Sequence, residues 1–237
     1  MEQGALEMLK ADMHSHFIPG IDDGSPDLET SIALVKGLQE LGYSKIITTP
    51  HIMGDIYRNR HETIIAGRDA VRKALSAQNI QVDFHAAAEY FLDDYFYSLL
   101  ESQQPLLTLH DNMVLVEFSF VNKPHNLKDL IFELQVRGYQ PVIAHPERYL
   151  YLGNNKIIYE EMKDAECLFQ LNLLSLTGFY GRATSDLAQY LLQQGWIDLL
   201  GTDMHNFQHL QQLQNAPGVL RTVKKLADSG RLLNPSL

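Results

Sequence analysis

Nine residues of metal-ligating type are spread along the chain: His14, His16, Asp23, His51, Glu89, Glu117, His145, Asp203 and His205. Imidazole and carboxylate donors together suit zinc, manganese or iron, and the lack of thiolates among them argues against a structural Cys-rich zinc site. Nine donors exceed the needs of one tetrahedral ion, so two or three ions are implied. Three divalent ions would bring about +6 against about −4 from the four carboxylates, a local excess that favours an anionic substrate. Clustered metals lower the pKa of a bridging water and hold both attacking and leaving oxygens, which is the chemistry of phosphoester hydrolysis.

Such residues act together only if the fold gathers them. Short apolar runs alternate with helical patterns, as in βα units. Strands are predicted near 11–14, 46–49, 82–88, 113–118, 141–144, 167–171 and 197–201, and helices near 60–78, 94–100, 127–137, 156–165 and 185–194. The first helix is predicted with Ser25 as N-cap and Pro26 at its first position. Leu28, Ile32, Val35, Leu38 and Leu41 recur at helical spacing, and Gly42 ends it. Eight of the nine candidates follow six of these strands, and Asp23 lies in the loop after the first. His14 and His16, two residues apart, project to one face of an extended segment. In a barrel of parallel strands, side chains at the C-terminal strand ends converge on one mouth. A lone His or Glu at a strand end is usually a hydrogen-bonded polar residue; the number and placement of these carry the metal reading.

The 237 residues suffice for a single barrel domain spanning 1–237. The net charge of −10 argues against a general nucleic-acid surface. No apolar stretch approaches the ~20 residues of a spanning helix. Residues 1–10 lack the basic and long apolar regions of a secretion signal, and Cys167, the only cysteine, excludes an internal disulfide. A cytoplasmic protein is expected.

The motifs Asp12-Met13-His14-Ser15-His16, Asp22-Asp23-Gly24, Thr49-Pro50-His51, Ala88-Glu89-Tyr90, Val116-Glu117-Phe118, Ala144-His145-Pro146-Glu147-Arg148 and Thr202-Asp203-Met204-His205-Asn206 resemble the polymerase-and-histidinol-phosphatase (PHP) superfamily. Within it, they are most similar to the bacterial capsule-regulating tyrosine-protein phosphatases of the CpsB/YwqE type. The resemblance runs in order from about residue 11 to 206. It implies a distorted (β/α)7 TIM-like barrel with three divalent ions, manganese first, with iron or zinc as alternatives. By this similarity His14, His16, Glu89 and Asp203 hold the first ion. Glu89, bridging, with Glu117 and His145 holds the second, and Asp23, His51 and His205 hold the third. Arg148 matches the phosphate-contacting arginine. The implied reaction is hydrolysis of phosphotyrosine by a metal-bound hydroxide. The implied substrate is the tail of a bacterial tyrosine kinase controlling capsule or exopolysaccharide synthesis. A small-molecule phosphatase such as a histidinol phosphatase, or a non-catalytic metal-binding module, are the rival readings.

The chain departs from the pattern at one point. Capsule phosphatases of Gram-positive bacteria carry a second arginine shortly after the last metal motif, whereas Asn206-Phe207-Gln208-His209-Leu210 stands here. Arg182 is a candidate substitute, although an exposed arginine without a catalytic role is the expected outcome. Asp22 competes with Asp23 as ligand, and only the resemblance decides between them. Cys167 lies in an apolar run with Leu173, not arginine, six residues on, so a thiol phosphate loop is absent and Cys167 is expected in the core. His61, His85, His110, His125 and His209 are expected as surface or capping residues. Phe17, Met53, Tyr90, Phe120, Tyr149, Phe179, Tyr180 and Phe207 are candidates for the rim of the mouth.

Overall fold

The structure is a computed structural model and describes Gly4 and residues 6–237; the expectation about residues 1–10 therefore lies partly outside the described residues. Among the described residues, nine strands form two parallel sheets. They are β1 (Ala11–Asp12), β2 (Lys45–Thr48), β3 (His51–Ile52), β4 (Asp83–Ala86), β5 (Glu89–Phe91), β6 (Met113–Glu117), β7 (Gln140–Ala144), β8 (Leu168–Asn172) and β9 (Leu199–Gly201). The first sheet runs β1-β2-β4 and the second β3-β5-β6-β7-β8-β9. Seven strands were expected, and the extra two arise from interruptions. Pro50 cannot donate a backbone hydrogen bond and separates β2 from β3, while Ala87 and Ala88 separate β4 from β5. Across the gaps, Ala87 N donates to Thr48 O at 2.9 Å and Glu89 N to Pro50 O at 3.1 Å, so one sheet runs on into the other.

The period-two alternation of each strand sorts its side chains into two apolar clusters. Ile47, Leu115, Val142, Ala144 and Leu199 join Met13 and Ala87 in a small inner cluster, with Leu233 and Leu237 packed against it. Their neighbours Ile46, Val114, Val116, Ile143 and Leu200 face the other way, into the large cluster under the helices. Those helices are α1 (Leu28–Glu40), α2 (His61–Ala77), α3 (Asp94–Glu101), α4 (Leu127–Val136), α5 (Ile157–Asp164), α6 (Arg182–Gln194), α7 (Phe207–Gln214) and α8 (Pro217–Asp228).

Two helix expectations need correction. Asp27, not Ser25, caps α1, its Oδ1 accepting from Thr30 N at 2.8 Å. Ser25 is instead drawn under the first histidines, its N donating to His16 O at 3.0 Å. Two helices beyond the expected set follow Gly201: α7 buries Leu210 and Leu213, and α8 buries Val219, Val223 and Leu226. No helix among the described residues is long and apolar enough to cross a membrane.

Candidate metal centre

The inward stripe of each strand changes character at its C-terminal end. Two residues on from Ala87 comes Glu89, and two on from Leu115 comes Glu117. Four on from Ile47 comes His51, and four on from Leu199 comes Asp203. Even spacing keeps these side chains on the face of the inner cluster, so the apolar floor is roofed by ligand-type groups. His145 breaks the parity, one residue after Ala144. Its φ of 34° turns it back, and Asp203 has a φ of 50°. Left-handed backbone is uncommon outside glycine and marks positions held by their surroundings.

The segment from His14 to His16 is clamped on both sides. Thr49 N donates to Ser15 O at 2.6 Å, while Asp203 N donates to His14 O at 2.7 Å and His16 N to Met204 O at 2.9 Å. Gly201 permits this closeness: a Cβ there would lie 2.7 Å from the Cβ of His14.

All nine predicted donors and Arg148 come together. Glu89 is central and fully buried. Its Oε2 lies 3.1 Å from His14 Nε2, 3.1 Å from His51 Nδ1 and 3.5 Å from His16 Nε2, and its Oε1 lies 3.0 Å from His145 Nε2. Asp203 Oδ1 is 3.4 Å from both His14 Nε2 and His16 Nε2. Glu117 Oε1 is 2.8 Å from His51 Nδ1. Asp23 Oδ1 stands 3.4 Å from His51 Nε2 and 3.6 Å from His205 Nε2. Among the described residues, four overlapping groups each bring their donor atoms within 4.8 Å: His16, Asp23, His51 and His205; His14, His16 and Glu89; His14, His145 and Asp203; and His51, Glu89 and Glu117.

This donor set fits divalent cations. His14 Nε2, His16 Nε2, His51 Nδ1, Glu89 Oε2 and Glu117 Oε1 are buried without a hydrogen bond of acceptable geometry, and a buried polar atom left so is costly unless something else satisfies it. The electrostatics agree. Burial and the neighbouring His51 oppose a charge on His16, yet Asp22 and Asp203 carry it up to about 10. Burial would raise Glu89, but His14 and His51 hold it well below the usual carboxylate range. Hydrogen bonds from His205 and His51 depress Asp23 likewise. Carboxylates that hold protons on imidazoles this strongly would hold cations in their place.

A layer of residues behind the donors fixes them. Asp22 Oδ2 accepts from His16 Nδ1 at 2.9 Å and from the backbone N–H of His51 at 3.2 Å, so Asp22 orients the His16 imidazole and anchors the His51 backbone while Asp23 faces the cavity. Gln170 Oε1 lies 2.8 Å from His14 Nδ1. Asn172 Nδ2 donates to Asp203 Oδ2 at 2.9 Å. The signal for the last two was present: Gln170 and Asn172 stand two apart, on one face of the otherwise apolar β8.

A cavity of about 280 Å³ opens over the cluster, lined by Asp23, His51, Glu117, His145, Asp203 and His205, and by Phe120, Arg148, Tyr180, Asn206 and His209. Another, of about 340 Å³, runs between α4 and α5 and touches none of the predicted site residues. Arg148 donates from Nη1 to Asp203 Oδ2 at 2.7 Å. His209, expected at the surface, is half-buried in the cavity wall instead, its ring 5.6 Å from that of His205. It arrives on the first turn of α7, whose N-cap Asn206 accepts from His209 N. Of the aromatic candidates, Phe120 and Tyr180 line the cavity. Phe17, Tyr90 and Tyr149 are core, the last two with hydroxyls accepting from Leu107 N and Phe118 N. Arg182 is 94% exposed at the start of α6 and outside the cavity. Cys167 is buried.

Comparison with known proteins agrees with this arrangement. The tyrosine-protein phosphatase YwqE of Bacillus subtilis is 30% identical over 82% of this chain and 77% of its own length. The tyrosine-protein phosphatase CpsB of Streptococcus pneumoniae is 30% identical over 82% of each. Crystal structures of these two, described as unique metal-dependent tyrosine phosphatases, supply a matching fold, with a TM-score of 0.80 at 26% identity over 95% of this chain and 94% of the solved one. The family model for capsular polysaccharide synthesis, CpsB/CapC, matches residues 10–228, and with the site gathered as described the chain belongs to that family.

Proposed function

We propose that this chain is a metal-dependent tyrosine-protein phosphatase, built as one domain over residues 1–237. The observation that carries the reading is the convergence of nine ligand-type side chains and Arg148 on one cavity, in a member of a family whose named relatives are tyrosine phosphatases.

The sheets are read as a distorted (β/α)7 barrel. Support comes from the hydrogen bonds between the continuations of β1 and β9 and from the inner cluster, to which β2, β6, β7 and β9 and the residues just after β1 and β4 contribute. At the opposite end Asn234 joins the same two strands, donating to Ala11 O at 3.2 Å and accepting from Leu200 N at 2.9 Å.

Three divalent ions are proposed, manganese first, with iron or zinc also suited to the donors. His14, His16, Glu89 and Asp203 would hold one, Glu89, Glu117 and His145 the second, and Asp23, His51 and His205 the third. When bound, such ions supply positive charge toward a phosphoryl group and lower the pKa of a coordinated water. Arg148 adds fixed donors for phosphoryl oxygens, worth most where water is excluded. A phenol, with a pKa of about 10, leaves with less protonation than an alkoxide needs. The proposed substrate is a phosphotyrosine protein, the tail of a bacterial tyrosine kinase governing capsule export, met in the cytoplasm.

The test compares a phosphotyrosine peptide, a phosphoserine peptide and histidinol phosphate on the manganese-loaded protein at one pH. Expected is a kcat/KM for the first at least about tenfold above the others, or ~1.4 kcal/mol in transition-state binding. A preference for histidinol phosphate would move the chain to the small-molecule phosphatases. Turnover of none would make it a non-catalytic metal-binding module.

A further inference from the structure

The Arg148 guanidinium is packed against two aromatic rings, its Cζ 4.3 Å from the ring centre of Tyr180 and 4.6 Å from that of Phe120. The two rings differ in how they are held. Phe120 lies on the segment after β6 and is 47% exposed. Tyr180 sits in a tight turn between two glycines in left-handed backbone, Gly178 with φ 79° and Gly181 with φ 91°. Gly181 N donates to Gly178 O at 2.9 Å, and Thr184 Oγ1 to Tyr180 O at 3.1 Å. Phe179 meets the Tyr180 ring edge-on at 5.0 Å and the His209 ring edge-on at 5.2 Å, so the turn is wedged against the cavity wall.

A polar link runs parallel to the ring contact. Asn172 Nδ2 donates to Asp203 Oδ2 at 2.9 Å and to Tyr180 Oη at 3.4 Å, and Asp203 Oδ2 is also the acceptor for Arg148 Nη1. Tyr180 thus touches Arg148 through its ring and is linked through the Asn172 amide to Asp203, the carboxylate that accepts from Arg148. An arginine on its own loses much rotamer freedom when it binds a phosphate, and a ring that fixes the guanidinium plane in advance removes part of that cost.

We infer that Tyr180 is a positioning residue that holds the Arg148 guanidinium over its ring, ready to meet a phosphoryl group in the cavity. This rests on the phosphatase reading for its activity arm and on phosphate recognition alone for its binding arm. The ring carries the effect and the hydroxyl contributes little.

The experiment is a double-mutant cycle on the metal-loaded protein with Y180L, Y180F, R148A and Y180L/R148A. Each is measured for kcat and KM with p-nitrophenyl phosphate and, by calorimetry, for the Kd of inorganic phosphate. Y180L should weaken phosphate binding and raise KM by about threefold to thirtyfold, the range of a partly desolvated cation–π contact. Y180F should stay within about twofold of the parent. In the R148A background Y180L should add less than about twofold, which a general packing defect would not do. Should Y180L fail to fold, Y180M takes its place in the same cycle. Equal losses from Y180L in both backgrounds, a Y180F loss as large as that of Y180L, or no phosphate binding by the parent would each overturn the inference. Phosphate binding with the expected pattern but no turnover by the parent would retire the phosphatase reading and leave the inference standing.

Discussion

Gln170 Oε1 lies 2.8 Å from His14 Nδ1 and also accepts from His145 N at 3.3 Å. The backbone N–H of His145 needs an oxygen opposite it, which fixes the Gln170 amide with Oε1 toward both histidines. His14 then carries a proton on Nδ1, which leaves Nε2, facing Glu89 and Asp203, as the atom that would meet a cation. Partners of this kind fix the tautomer and direction of a ligating imidazole. Gln170→Leu should therefore lower divalent-ion affinity by about 10–100-fold while the fold persists. Competition with a chelating dye reads this directly; unchanged affinity would show that His14 is oriented by other contacts.

Glu89 and Asp23 make a second, comparative prediction. Glu89 is buried within 3.5 Å of four imidazoles, whereas Asp23 is 54% exposed and approaches two. Glu89→Gln should cost more activity and more bound metal than Asp23→Asn. Elemental analysis beside steady-state rates decides it, and an equal or smaller loss in a folded E89Q protein would contradict the bridging place proposed for Glu89.

The strand ends were legible in the sequence because the same alternation that buries Leu115 and Ala87 places Glu117 and Glu89 at the mouth. Gln170 and Asn172 also stand out on one face of the apolar β8, but which donor each of them holds was not legible. Gln170 is 156 residues from His14, and spacing carries no information about such a pair. Asp22 and Asp23 are identical in type and adjacent, and only the folded loop separates the one that orients His16 from the one that faces the cavity. His209 was misread because it reaches the cavity from a helix rather than a strand end. Ser25 satisfied the capping pattern of α1, but its backbone is engaged by His16, so the cap passed to Asp27. Tyr90 and Tyr149, candidates for the rim, lie in the core instead, where the backbone N–H groups of Leu107 and Phe118 satisfy their hydroxyls, partners that sequence does not reveal.

Cys167 tests the absence of thiol chemistry. Burial pushes its thiol up to about 12, against a weaker opposite pull from Lys163. A thiol whose pKa is raised stays protonated and unreactive well above neutral pH. Iodoacetamide at pH 8 should leave the folded protein unmodified and alkylate it in denaturant. Cys167→Ser should keep turnover within a fewfold of the parent. Trapping of a phosphocysteine, or complete loss of activity in a folded, metal-loaded C167S protein, would reinstate a thiol nucleophile.

Removing and returning the metal tests the central claim most directly. The donors around Glu89 leave buried nitrogen and oxygen atoms without a hydrogen bond, and no serine, threonine or cysteine is among the residues that line the cavity. Protein stripped by a chelator should lose phosphotyrosine-peptide hydrolysis by at least about a hundredfold, since the nucleophile at neutral pH depends on a coordinated water. Manganese added back in known amounts should restore the rate in step with the ions bound per chain. Full activity in protein shown by elemental analysis to hold no metal would contradict it.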